Sequence, residues 1–293
     1  MTLPNFLLLG ANKAGTTSLA SYLGQHPQVY MSPVKEPGFF AIQDHDPASQ
    51  AALGSTFTLD TYTALFDEVT TERAVGEAST AYLGSAEAPA AIRRLVPDAR
   101  LLAVLRNPVD RAFSNYQMQL SRGREPLGFG DAIAAELNGE APPPGVRERR
   151  YVRLGFYGRY LARYYETFPA AQLRVVLYDD YRRDPGAVLA DLFRFLGVDD
   201  SFVADTSVER NVSYVPKSKA LHGLLGGGGR LRPALSPLVP SGAKARVAGY
   251  LARRNRRPVD FPADVRHQLV ELYRSDILEL QDLLGRDLSA WLC

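Results

Sequence analysis

Cysteine is nearly absent from this 293-residue chain: Cys293, the last residue, is the single one. One thiol excludes an intrachain disulfide and a cysteine-built metal cluster. Histidine is almost as rare, and His26, His45, His222 and His267 are too scattered to read as a ligand set, so no metal is expected. An excess of either charge is missing too. The 34 basic and 32 acidic side chains leave a net charge of +2, which gives no case for a nucleic-acid partner. No basic segment precedes the first apolar run, and that run is too short for a leader or a membrane span. The expectation is a soluble, cytoplasmic protein. Lysine is scarce as well. Lys13, Lys35, Lys217, Lys219 and Lys244 are the whole set, the other basic residues being arginine, so each lysine stands out as a functional choice.

Ordinary globular features make up the rest. Hydrophobic residues are 46% of the chain, and the length suits one α/β domain over residues 1–293. Four apolar or β-branched segments read as strands: Asn5–Leu9, Ala74–Glu77, Leu101–Leu105 and Leu173–Leu177. Helical patterns lie between and after them, which predicts a central, mainly parallel sheet flanked by helices, a P-loop-like three-layer domain. After Leu101–Leu105, Asn107 and Pro108 supply a cap and a first-turn proline, and Val109, Ala112, Phe113, Tyr116 and Leu120 form one apolar face. Residues 222–242, rich in glycine, read as a flexible segment, and residues 263–293 as a helical C-terminal portion with Val265, Leu269, Leu272, Tyr273, Ile277 and Leu280 facing the core.

The chemistry begins at Phe6–Leu23, FLLLGANKAGTTSLASYL, a strand, a glycine-bounded loop and a helix start. Such a turn aims successive backbone N–H groups at an anion. Its frame, Gly10-x4-Gly15-Thr16-Thr17, has P-loop spacing, but Thr16 stands where a Walker A motif needs lysine, and Lys13 lies inside the loop. At the end of the third strand, where a Walker-type enzyme would place a magnesium-organising aspartate, the chain has Arg106, with Ser114 on the helix that follows. Arginine suits bidentate phosphate recognition. Two anion sites are therefore expected, one at the loop and one at Arg106 and Ser114.

These segments resemble the sulfotransferases that use 3′-phosphoadenosine 5′-phosphosulfate, especially the domains acting on heparan sulfate and their bacterial relatives. GANKAGTTSL is similar to that family's 5′-phosphosulfate loop, and LLAVLRNPVDRAFSNY to its 3′-phosphate strand and helix. KEPGFF, GEASTAYL, GFYGRYLARYYETFP, LRVVLYDDYRRDP and PKSKAL continue the resemblance in order, over roughly the first three-quarters of the chain. The resemblance implies donor contacts from Lys13, Ala14, Gly15, Thr16, Thr17 and Ser18, with Arg106 and Ser114 on the 3′ phosphate. It also implies a further contact from Lys217 or Lys219. Lys13 would stabilise the leaving phosphate without a metal, Glu77 would take the acceptor proton, and Lys35 would contact the sulfuryl group or the acceptor.

Departures from the family narrow the acceptor. Gly38 stands where heparan-sulfate relatives commonly carry histidine, the loop reads N-K-A-G rather than R-K-G-G, and the late cysteine pair is missing. The implied acceptor is a small molecule, glycolipid or saccharide with a hydroxyl or, less readily, an amine. Two other readings remain: a P-loop small-molecule kinase, against which the positions of Lys13, Thr16 and Arg106 count, and a nucleotide-binding module without chemistry, against which Glu77 counts.

Overall fold

The strand pattern anticipates four parallel strands, and the computed structural model has five in that sheet. It describes residues 2–41, 57–143, 149–207, 215–216, 256–257 and 259–293. The strands are β1 (Phe6–Leu8), β2 (Val29–Met31), β3 (Ala74–Ala78), β4 (Arg100–Leu105) and β5 (Leu173–Leu177), in the order β2-β3-β1-β4-β5, with every pair parallel. β2 escaped the sequence pattern because three residues are too short to show a period, and as an edge strand it is only partly buried. The described helices are α1 (Thr16–Leu23), α2 (Leu59–Thr63), α3 (Ala81–Gly84), α4 (Ala88–Leu95), α5 (Pro108–Ser121), α6 (Phe129–Leu137), α7 (Tyr157–Thr167), α8 (Tyr178–Arg183), α9 (Pro185–Leu196) and α10 (Ala263–Leu284).

The chain groups into two compact units, Met1–Ala112 with Arg150–Asn211 and Asp264–Cys293, and Phe113–Arg149 with Val212–Ala263. The first holds the five-stranded sheet. Leu7 of β1 lies opposite both Glu77 of β3 and Leu101 of β4, so β1 is central and apolar throughout. Because the strand order reverses there, the loop after β1 opens into the crevice at the carboxyl ends of the strands, where open α/β sheets take their ligands. Packing fixes the sheet closely. A Cβ at Gly76 would lie 2.4 Å from Cζ of Phe6, so only glycine lets β1 and β3 pair there. The expected cap before α5 is present, Asn107 Oδ1 accepting the N–H groups of Val109 at 2.9 Å and Asp110 at 3.4 Å. α10 buries Val265, Leu269, Tyr273, Ile277 and Leu280 of the face its periodicity predicts, while Leu272 of that face is half-buried.

In the second unit, Phe113, Tyr116, Phe129 and Phe261 form an aromatic cluster. Glu125 and Arg149 make an ion pair at 3.2 Å with little solvent contact, and Val215–Pro216 pairs antiparallel with Arg256–Arg257. Lys217, Lys219 and residues 222–242 lie outside the described residues. No helix among the described residues is long and apolar enough to cross a membrane.

Candidate functional site

The loop from Gly10 to Gly15 is held from below by the sheet. The N–H of Ala11 donates to the Val104 carbonyl at 2.7 Å, and the Val104 N–H donates back to the Gly10 carbonyl at 2.7 Å. Above that anchor the chain turns tightly. Lys13 and Gly15 adopt left-handed backbones, φ +72° and +88°, a conformation that is unfavourable for lysine and natural for glycine. α1 begins on Gly15 with no side chain capping its first turn, so the N–H groups there keep the orientation in which helix starts receive anions. Thr16 and Ser18 are buried, and Thr17 and Lys13 are half-buried.

A layer of side chains closes one side of this loop. A Cβ at Gly15 would stand 3.1 Å from Cε2 of Tyr178. The Arg106 guanidinium lies 5.1 Å from the centre of the Tyr178 ring, and that of Arg182 lies 5.9 Å from it. Arg106 also donates through Nη1 to the Lys13 carbonyl at 3.4 Å. The loop glycine, the strand-end arginine and the tyrosine opening α8 are thus one packed assembly, in which Arg106 contacts the Lys13 carbonyl. A tight, glycine-dependent cradle beside a fixed guanidinium fits a donor with a charged phosphate chain. Ser114 is buried on α5 in the second unit.

Glu77 occupies a different setting. It is the penultimate residue of β3 and has no solvent contact. Oε1 accepts the hydroxyl protons of Tyr82 and, at 3.3 Å, Tyr62, and Oε2 accepts that of Ser79 at 2.9 Å. Tyr62 stacks on Phe39 with ring centres 4.2 Å apart, and Phe40 and Phe66 meet it edge-on. Burial in this aromatic box pushes the carboxyl up to about 7. The Tyr82 and Ser79 hydrogen bonds oppose the rise, the charge of Glu36 adds to it, and the Tyr62 hydrogen bond also opposes it. Both tyrosines are held well above their ordinary range, chiefly by burial and then by Glu77, so they remain neutral donors.

Glu36 is the carboxylate that faces water. It sits in the KEP turn with a left-handed backbone, φ +61°, and accepts the Thr80 N–H at 2.6 Å and the Thr80 hydroxyl at 3.0 Å through Oε2. Lys35 pairs with its Oε1 at 2.5 Å, both side chains being more than a third exposed. Ser79 ties Glu77 to the backbone of the KEP turn: its Oγ donates to Glu77 and accepts the Gly38 N–H at 2.9 Å. Glu36 is a site residue with no motif of its own in the sequence, where its place between lysine and proline marks only a turn. Tyr62 and Tyr82 carried no sequence signal beyond apolar spacing.

His26 is structural. Its Nδ1 accepts the Gln28 N–H at 3.0 Å, its Nε2 lies 2.8 Å from the Asp199 carbonyl, and its ring packs against Phe193 and Phe202. No group of three or more metal-ligating side chains comes together among the described residues.

The model of the Sulfotransferase family matches residues 4–201. A bifunctional heparan sulfate N-deacetylase/N-sulfotransferase 4 of Mus musculus is 28% identical over 299 residues, 99% of this chain and 31% of the relative. A bifunctional heparan sulfate N-deacetylase/N-sulfotransferase 3 of Homo sapiens is 32% identical over 202 residues, 67% of this chain and 22% of the relative. The chain therefore spans less than a third of the length of these relatives. A crystal structure of a sulfotransferase from Alicyclobacillus acidocaldarius is 32% identical and superposes with a TM-score of 0.74 over 99% of both chains.

Proposed function

The chain belongs to the sulfotransferase family, and from that premise we propose that it moves a sulfuryl group from 3′-phosphoadenosine 5′-phosphosulfate to an acceptor. The acceptor presents a hydroxyl or, less readily, an amine, on a small molecule, glycolipid or saccharide, and the protein works in the cytoplasm. The two units are parts of one catalytic domain. The observation that carries this reading is the packed assembly of Gly15, Tyr178 and Arg106 around a loop whose lysine is Lys13. The backbone N–H groups and hydroxyls of Ala14–Ser18 receive the 5′ phosphosulfate, and Arg106 with Ser114 receives the 3′ phosphate. Lys217 or Lys219 supplies a further donor contact.

In the reaction the acceptor oxygen attacks sulfur in line while the bond from sulfur to the bridging phosphate oxygen breaks. Lys13 meets the charge that develops on that oxygen, as a preorganised cation does in phosphoryl transfer, so no metal is required. The acceptor proton passes to Glu77, whose position near 7 suits a base at neutral pH. Because Glu77 has no exposed surface, a second assignment is favoured by a specific observation: Glu36, exposed and linked to Glu77 through the Ser79–Thr80 step, takes the proton directly. Lys35 stands beside it as an acceptor contact.

Calorimetry tests the donor. The 3′,5′-bisphosphate product should bind more tightly than AMP or ATP, and Arg106→Ala should erase most of that preference, a loss of about 2–4 kcal/mol for a desolvated charge-assisted contact. Equal affinity for AMP and the bisphosphate would sink the assignment. Transfer from labelled 3′-phosphoadenosine 5′-phosphosulfate should survive excess EDTA. Turnover that needs ATP and Mg²⁺ would replace this reading with a small-molecule kinase, and binding without turnover would replace it with a non-catalytic module.

A further inference from the structure

Arg111 is the largest fully buried side chain in the described residues, and its Nε and Nη1 have no hydrogen-bond partner there. Its Nη2 donates to the Tyr151 carbonyl. A buried guanidinium left two-thirds unsatisfied is costly, so its presence calls for a reason. Close to it is the hydroxyl of Tyr157, also without solvent contact. This phenol feels the charges of Arg111 and Arg106 and faces the Arg106 backbone N–H without closing a hydrogen bond of ordinary geometry. Burial holds the phenol at about 12, so it stays neutral at physiological pH. The β4–β5 ladder ends at Leu105 and Leu177, and Arg106 is the first residue beyond it. Tyr157 is therefore placed to back the peptide that carries Arg106 just where the sheet no longer does.

Tyr157 is itself fixed by α10, which lies outside the segment matched by the family model. Asp276 accepts the N–H groups of Gly158 and Arg159, each at 2.9 Å, and so caps the start of α7. The Tyr273 hydroxyl donates to the Val152 carbonyl at 2.7 Å. The two glycines of GFYG are forced by this contact. A Cβ at Gly155 would lie 2.6 Å from the Tyr273 hydroxyl, and one at Gly158 would lie 2.6 Å from the Asp276 carbonyl. Arg266 pairs with Asp110 in the first turn of α5, so α10 also touches the helix that leaves Arg106. Three contacts from one helix converge on the elements around a single arginine.

We propose that α10 is the positioning element of the Arg106 anion site, acting through the Asp276 and Tyr273 clamp on the Gly155–Arg159 turn and through Tyr157, which lies near both Arg111 and Arg106. The proposal rests on the reading that Arg106 binds the donor's 3′ phosphate. Tyr157, Tyr273, Asp276 and Arg111 are positioning residues and touch no ligand.

The test is the preference for the 3′,5′-bisphosphate over AMP, measured by calorimetry on the full chain, with thermal unfolding alongside. Tyr157→Phe keeps the ring and removes the hydroxyl. It should weaken the bisphosphate about tenfold while AMP affinity changes less than twofold. Asp276→Asn should shift the same ratio in the same direction, and it carries the test if Tyr157→Phe does not fold. A lowered unfolding midpoint with the ratio intact, or equal weakening of both ligands, would make the clamp merely structural and overturn the proposal. Arg106→Ala separates the two levels. If it leaves the ratio unchanged, the 3′-phosphate reading fails; if it abolishes the ratio while Tyr157→Phe and Asp276→Asn do not, only the positioning role fails.

Discussion

Glu77 and Glu36 have the same functional group and are tied to consecutive residues, Ser79 and Thr80, yet the fold gives them opposite surroundings. Glu77 is sealed among Tyr62, Tyr82 and Ser79 with zero exposure, and its carboxyl is raised to about 7. Glu36 stands in a turn with a left-handed backbone, in water, beside Lys35. The sealed carboxylate has the proton affinity a base needs and lacks access; the open one has access. Proton affinity and access are separate requirements on a general base, and Glu77 meets the first without the second.

Substituting each in turn breaks the comparison with the largest effect. If Glu77 is the base, Glu77→Gln should lower turnover by about 10²–10⁴-fold with donor affinity near native, and the rate should rise with pH through about 7. In that case Glu36→Gln should cost only a few-fold. The reverse pattern, with Glu36→Gln inactive and Glu77→Gln active, would assign the proton to the open carboxylate. Glu77 would then be a buried support for the KEP turn. Initial rates and calorimetry on the same preparations decide between them.

The second experiment addresses the sealed group alone. The folded-state carboxyl of Glu77 titrates above its ordinary value, so its contribution to stability is fully present below about pH 4.5 and is lost as pH rises through about 7. A rise of this size corresponds to about 3 kcal/mol. Urea unfolding of the native chain should show that decline between pH 5 and 8, and Glu77→Gln should flatten it. An unchanged slope in the variant would mean that the box does not hold a strained carboxyl. Activity through Glu77 would grow where stability falls.

The sequence made one side of this arrangement legible and hid the other. Gly10, Lys13, Gly15 and Arg106 declare themselves because an anion loop depends on local backbone and a strand end, both short-range features. The Asn107–Pro108 start of α5 and the apolar face of α10 were readable for the same reason. What encloses Glu77 comes from three separate segments: Phe39 and Phe40, Tyr62 and Phe66, and Tyr82. Their convergence depends on the order β2-β3-β1, which no local period encodes. The same holds for Tyr157 and Arg111, which are far apart in sequence and are brought near each other beside a turn held by α10. β2 was missed because of its length, and Glu36 because a charged residue next to lysine and proline reads as an ordinary turn.

The smallest expected effect belongs to Lys35. Its contact with Glu36 is between partly exposed groups, and such pairs contribute about 0–1 kcal/mol because water and salt screen them. Lys35→Ala should therefore leave unfolding nearly unchanged, and donor affinity as well, since Lys35 lies on the KEP turn and not in the Gly10–Gly15 loop. What distinguishes its roles is the acceptor. A lysine that meets the acceptor should, when removed, raise the acceptor KM several-fold with kcat little altered, and the increase should shrink at high salt. If it serves only to orient Glu36, the loss should appear in kcat, and Glu36→Gln should make the Lys35 substitution silent. A double-mutant cycle on Lys35 and Glu36, read separately in KM and kcat, tells these apart. A Lys35→Ala enzyme with both constants native would leave the open carboxylate to act without its lysine neighbour.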